Sequence, residues 1–190
     1  MCHWLEHPVK DLRTWKDIYE SRFQTDLNDR LPTDWEQYKK EFTRKAETRW
    51  VCFFNFPFFG FFGPLRQLMG FERLAEAMVL EPEFIRIMVK DLGDFFLNVF
   101  NSLLKDIRLD QVVFFEDMCS TRSPLFSPKM FRELFAPGYQ RVIGELQAMG
   151  VKHFFIDTDG NLKLLIEELV RCGITGTHPC EVQAGMDSGE

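Results

Sequence analysis

An α/β fold built on a parallel sheet is the class this sequence predicts, and two observations predict it. Between Val112 and Asp187 the pattern runs strand, loop, helix, strand, loop, helix, strand, loop, which is the alternation of parallel β/α units. Each apolar strand run is followed at once by carboxylates: Glu116 and Asp117 after VVFF, Asp157 and Asp159 after HFFI, Glu181 after ITGTHPC. In parallel β/α architectures the loops leaving the carboxyl ends of the strands lie on one face, so these acids are expected to converge on a common mouth.

The elements follow in chain order. From about His7, VKDLRTWKDIYESRF spaces Leu12, Trp15, Ile18, Tyr19 and Phe23 at helical intervals. After a break at RLPTD, Thr33 or Asp34 can cap a second helix, DWEQYKKEFTRKAE. Residues 1–49 thus form an N-terminal helical segment that covers a sheet, and residues 50–190 carry the β/α units. Trp50 to Phe59 reads as a buried strand running into a loop, turned by glycine and proline before LRQLMG.

Pro82 opens a long amphipathic helix that carries Phe84, Ile87, Met88, Leu92, Phe95 and Phe96 and is expected to reach about Ile107. Gln111 to Phe115 is a strand. Ser127 followed by Pro128 starts a helix through Phe131, Leu134, Val142 and Leu146 to Gly150, with a kink expected at Pro137 and Gly138. Lys152 to Ile156 is the next strand; Asp159 or Asn161 caps the helix that ends at Gly173, and Ile174 to His178 is the last strand.

Composition narrows the function classes. The net charge is −6, with no run of Lys or Arg free of acidic residues, so a phosphate-tracking surface and a nucleic-acid partner are not indicated. The longest apolar run, VCFFNFPFFGFFGPL, is broken by Asn55, Pro57, Gly60, Gly63 and Pro64 and falls short of the ~20 residues of a spanning helix. With no leader pattern at the start and five scattered cysteines lacking a CxxC pair, the reading is a cytoplasmic chain with reduced thiols and no membrane partner.

Candidate site residues come from the mouth. If Glu116, Asp117, Asp157, Asp159 and Glu181 gather, repulsion raises some of their pKa values unless a cation, a proton or hydrogen-bond donors compensate. The structural alternative is that Asp159 and Asn161 cap a helix and Asp157 accepts loop amides. Arg66 and Arg122 are the nearby cations, and Phe58, Phe59, Phe61 and Phe62 could form an apolar pocket wall, with core packing as the plainer use of so many rings. His178 and Cys180 lie near the third mouth loop, where a histidine is more often a hydrogen-bonded wall residue than a ligand.

The runs FEDM, SPKMFRELFAPGYQRV, IDTDGNLKLLIEELVRCGITG and PCEVQAGMD resemble the uroporphyrinogen decarboxylase family, which includes corrinoid-linked methyltransferases; HPVKDLRTWKDIYESRF, RLPTDWEQY and GFFGPLRQLMGFE resemble a less characterised branch of it. The resemblance implies a (β/α)8 TIM-type barrel, here partial, with about four strands. A complete barrel usually takes about 250 residues, and nothing in this chain resembles the family's early strands with their arginine-bearing loop.

Two chemistries are implied. The first is decarboxylation of a porphyrinogen-like or other small organic acid, a lyase reaction without metal or cofactor. Asp159-Gly160 matches the Asp-Gly that follows a strand in the decarboxylases, while Asp117 stands where they use a serine. In this reading Glu116, Asp117, Asp157, Asp159 and Glu181 are catalytic, and Arg66, Arg122, Phe58, Phe59, Phe62, Gly160 and His178 bind the small-molecule substrate. The second is corrinoid-linked methyl transfer, in which zinc activates a thiol. The family's His-x-Cys pair is replaced here by Asp157-Thr158-Asp159, a hard-oxygen set that disfavours zinc. A third outcome is an inactive remnant or interaction fragment that associates, as a homo-oligomer, through open barrel edges.

Overall fold

The computed structural model describes residues 6–24, 30–47, 53–55 and 58–187. Helix α1 (Leu12–Ile18) runs into a π-helical turn (Tyr19–Phe23), and α2 spans Trp35–Glu47. Strand β1 (Phe53–Asn55) is followed by α3 (Phe62–Met69), α4 (Phe71–Leu80) and α5 (Pro82–Leu103). Then come β2 (Gln111–Phe115), α6 (Pro128–Leu134), α7 (Ala136–Ala148), β3 (His153–Asp157), α8 (Ile166–Cys172) and β4 (Gly176–His178). Trp50 to Cys52, the start of the strand expected at Trp50 to Phe59, lies outside the described residues.

The four strands form one sheet in the order β1-β2-β3-β4, and every pairing is parallel. This is an α/β fold; among the described residues the sheet is open, with β1 and β4 as its edges. Alternation along β2 and β3 sends Val112, Phe114, Phe154 and Ile156, all buried, into the core with the helices. Val113, Phe115, Phe155 and Asp157 point to the other face, where Phe115 and Phe155 stay half-buried.

The core lies between that sheet and the helical layer. Val9 and Trp15 of the N-terminal segment belong to it: the Val9 N–H donates to the Leu68 carbonyl (3.0 Å), and the Trp15 indole N–H to Asp91 Oδ2 on α5 (2.8 Å). Helix α2 buries none of its side chains, although Phe42 and Ala46 pack against the core. Among the described residues no helix is long and apolar enough to cross a membrane.

Two boundaries differ from the sequence expectation. Helix α5 stops at Leu103 rather than near Ile107 and ends in a turn, with the Leu104 N–H on Phe100 O. The helix expected from Pro128 to Gly150 is broken at Phe135, not at Pro137 and Gly138. Pro137 sits in the first turn of α7, where its missing N–H is not needed, and the Glu133 carbonyl takes a hydrogen bond from Arg86 Nε (3.2 Å). Ser127 does cap α6, accepting from the Met130 N–H (3.2 Å).

Candidate active site at the strand ends

Strand register brings the three mouth loops together. Phe115 pairs with Asp157, and Asp157 with His178. The Asp157 carbonyl accepts from the Glu116 N–H (2.9 Å), the Thr158 N–H donates to His178 O (3.0 Å), and the Thr158 hydroxyl accepts from the Met118 N–H (2.9 Å). Further out, the Asn161 N–H donates to Ser120 O (2.8 Å) and the Gly160 N–H to Glu181 Oε2 (2.7 Å). Gly160 has φ +87°, and a Cβ there would lie 2.4 Å from the Ser120 carbonyl oxygen. Only glycine lets the two loops touch.

Asp117, Asp157, Asp159, Glu181 and His178 therefore share one rim. Desolvation raises the Asp157 pKa against the lowering charge of His178, whose Nδ1 is 3.7 Å from Asp157 Oδ1, and the Asp117 charge adds to the rise. Asp159 is also raised, by desolvation first and then by Asp117, Glu181 and Asp157. Neither Asp159 nor Asn161 caps a helix: α8 starts at Ile166 with no side-chain cap, after a 3-10 turn at Lys163–Leu165 that has none either, and Asn161 Oδ1 accepts from the Lys163 N–H (3.1 Å) within the loop.

Asp117 holds φ +50°, a left-handed conformation in which a non-glycine residue is strained. That conformation turns its carboxylate onto Arg66 of α3: Arg66 Nη2 to Asp117 Oδ2 is 2.7 Å, and Nη1 donates to the Asp117 carbonyl at 3.1 Å. Arg66 is thus bound within the rim. Arg122 lies exposed on the loop after β2, its backbone N–H on Ser120 Oγ (3.3 Å).

Glu116 is not on the rim. It is 0% exposed, and its carboxylate accepts from the Phe61 N–H (2.7 Å), the Gly63 N–H (2.8 Å) and the Tyr139 hydroxyl. Those amides lie at the start of α3, whose N-cap Phe61 has no side-chain cap of its own, so Glu116 caps the helix from another strand. A Cβ on Gly60 or Gly63 would sit 2.6 Å or 2.5 Å from Phe115 O, so the backbone can pass only as glycine. Burial outweighs the three donors and raises the carboxyl from the ordinary 4.5 to about 7. The expectation that Glu116 is a mouth acid is corrected on this ground: no solute can reach it.

The pocket-wall reading of the phenylalanines is corrected likewise. Phe59 is 1% exposed and packs on Phe96, Phe100 and Phe114 with centroids 4.7, 5.3 and 4.6 Å away. Phe62, also 1% exposed, packs on Phe126 (4.9 Å), and Phe61 on Tyr139 (4.9 Å). Phe58 is half-buried and stacks on Phe23 (6.0 Å). A cavity of about 770 Å³ lies between the π-turn and helices α5 and α7, lined by Tyr19, Phe23, Asn98, Asn101, Arg141 and Glu145 and by no rim residue.

Tyr139 escaped the sequence reading. Its signal was a phenol inside the apolar stripe of α7, since a buried tyrosine hydroxyl needs a partner. Among the described residues no three His, Cys, Asp or Glu side chains stand close enough to hold a metal ion. Burial pushes the Cys119 thiol up to about 11 and Cys172 up to about 12, which opposes thiolate formation at either.

No family model and no curated relative matches this chain. A solved structure, a methyltransferase from Methanosarcina mazei, superposes on 77% of this chain with a TM-score of 0.54 and 13% identity. At that identity the likeness is one of fold, and the chain spans 44% of that structure's length.

Proposed function

We propose that this chain is a segment of a (β/α) barrel in the superfamily that joins uroporphyrinogen decarboxylase to the corrinoid-linked methyltransferases, and that it serves methyl transfer from a small organic donor. One observation carries the reading: the rim formed by the three strand-end loops sits on a fold shared with a methyltransferase. Decarboxylation of a polycarboxylate fits less well. Arg66 is already committed to Asp117, and the rim's remaining carboxylates would repel such a ligand.

The rim residues divide the work as follows. Asp159 and Glu181 give the mouth its negative potential and select a donor that is neutral or cationic. Asp157 orients His178, whose ring is 42% exposed, toward the mouth as a proton donor. As the methyl–heteroatom bond breaks, the methyl passes to an acceptor supplied from outside this chain. The bond's electron pair stays on the departing heteroatom, which takes the His178 proton. Thiol activation by zinc does not fit these residues: burial raises the Cys119 thiol beside Thr158, and among the described residues no three His, Cys, Asp or Glu side chains stand close enough to hold a metal ion.

The test is methylation of free cob(I)alamin by a panel of N-methyl, O-methyl and S-methyl donors, followed by its absorption spectrum. Donor-dependent methylcobalamin that is lost in Asp157→Asn supports the reading. A folded protein that transfers from no donor, or an Asp157→Asn variant as active as the parent, ends it.

A further inference from the structure

We propose that a slot in the helical layer, between α5 and the α6–α7 break, binds a small apolar monocarboxylate at a site separate from the rim.

Two glycines open the slot. Gly138, in the first turn of α7, is required by packing, since a Cβ there would stand 2.6 Å from Val89 Cγ1 and 2.9 Å from Phe61 Cζ. Gly93, in the middle of α5, is not: its backbone is helical, and a Cβ would meet only ordinary contacts, 3.6 Å from Val142 Cγ2 and 3.8 Å from Arg141 Nη1. Glycine in a helix interior costs stability relative to alanine. What Gly93 supplies in return is room. The space is about 170 Å³, walled by Val89, Leu134 and Pro137. An apolar cavity of about 150 Å³ holds a benzene ring, which sets the size of the ligand body.

The lip of the slot is positive. Arg86 and Lys90, four residues apart on one face of α5, and Arg141, across from them on α7, all line it, and among the described residues no acid does. Arg86 pairs with Glu83, and its Nε donates to the Glu133 carbonyl (3.2 Å), which Pro137 has no N–H to serve. Lys90 Nζ lies 2.8 Å from Asp94 Oδ2, and Arg141 pairs with Oδ1 of the same carboxylate. Two carboxylates outside the lining thus serve three cations within it, and the lip keeps a positive charge for an anion.

Both requirements have to be met by one molecule. A neutral hydrocarbon answers the walls and leaves the lip unanswered; a polycarboxylate answers the lip and has no apolar body for the walls. A single carboxylate on a ring or a short branched chain answers both. None of the lining residues belongs to the rim, so occupancy of the slot does not rest on the reaction proposed there.

The experiment titrates the 190-residue chain with phenylacetate and follows its amide NMR spectrum. Saturable shifts are expected at the Gly93 and Gly138 amides and not at the Gly160 amide on the rim, with a Kd of about 1 mM or tighter. Phenylacetamide and phenethylamine, which keep the ring without the negative charge, should bind at least about tenfold more weakly. Gly93→Ala meets no clash and improves the helix, so it should melt no lower than the parent while binding phenylacetate about tenfold more weakly. Arg86→Gln with Lys90→Gln should erase the preference for the acid over its amide. The proposal is overturned by a spectrum that does not change up to about 10 mM phenylacetate, by shifts centred on Gly160, by an amide or amine that binds as tightly as the acid, or by a folded Gly93→Ala protein of parental affinity. An acid preference that survives the double substitution overturns it as well. Methyl transfer enters none of these readouts, so failure of the rim reaction and failure of the slot are told apart.

Discussion

Replacing Glu116 by Gln tests the buried carboxylate directly. Its folded-state pKa of about 7 lies above the ordinary 4.5, so the stability it contributes is fully present below pH 4.5 and is lost as pH rises through 7. Between pH 5 and pH 8 that loss amounts to about 2–3 kcal/mol. An amide at this position can keep its oxygen toward Phe61 and Tyr139, but it then presents an N–H to the Gly63 N–H. One orphaned donor costs about 1–3 kcal/mol. The parent should therefore be the more stable protein at pH 5, and the two should draw together, or cross, by pH 8. Urea unfolding of both proteins at a series of pH values gives the difference, in which the shared contributions of Asp157 and Asp159 cancel. A difference that stays constant from pH 5 to pH 8 would refute the buried-acid argument.

The other predictions concern the same frame and the rim. Tyr139→Phe removes one donor from Glu116 and should cost about 1 kcal/mol while raising the Glu116 pKa further, which moves the pH-dependent step of the unfolding curve upward. Gly138→Ala drives a Cβ to 2.6 Å from Val89 Cγ1 and 2.9 Å from Phe61 Cζ; a loss of about 1–3 kcal/mol in denaturant melts is expected, and a neutral result would mean that α5 and α7 can part without cost. Asp159→Asn, exposed and with no structural bond to lose, should raise the KM for a cationic methyl donor while shifting the melting temperature little; unchanged kinetics remove Asp159 from the site. Asp117→Asn keeps a residue tolerant of positive φ but loses the charge paired to Arg66, so it should loosen α3 against the rim and raise KM more than it lowers kcat.

Much of the frame is legible in the sequence because the signals are local. Ser127-Pro128 announces its own helix start, Gly173 its own end at φ +96°, and the VVFF and HFFI runs their own strands. The neighbouring acids Glu116 and Asp117 look alike in sequence and meet opposite fates. What separates them is a partner 23 residues downstream, Tyr139, and two amides more than 50 residues upstream, and no local spacing encodes either. The phenylalanines mislead for the same reason: a cluster of rings before a glycine-rich turn looks alike whether it lines a pocket or fills a core, and only the ring-on-ring packing of Phe59 and Phe62 decides between them.

The two corrected assignments bear on the rim that remains. With Glu116 withdrawn to anchor the start of α3, the segment 60–66 is held to β2 from beneath by a buried carboxylate and from above by the Arg66–Asp117 pair. The left-handed backbone of Asp117 is the hinge between those two grips, because it lets consecutive side chains reach opposite sides of the same loop. Arg66 is therefore a fixed neutraliser of one rim acid rather than a mobile anchor for substrate. Its charge is spent before any ligand arrives, and among the described residues His178 stands beside Asp157 while Arg122 lies exposed on the loop after β2. On the methyl-transfer reading proposed above, a site so arranged would favour a donor that brings positive charge with it over one that brings carboxylates.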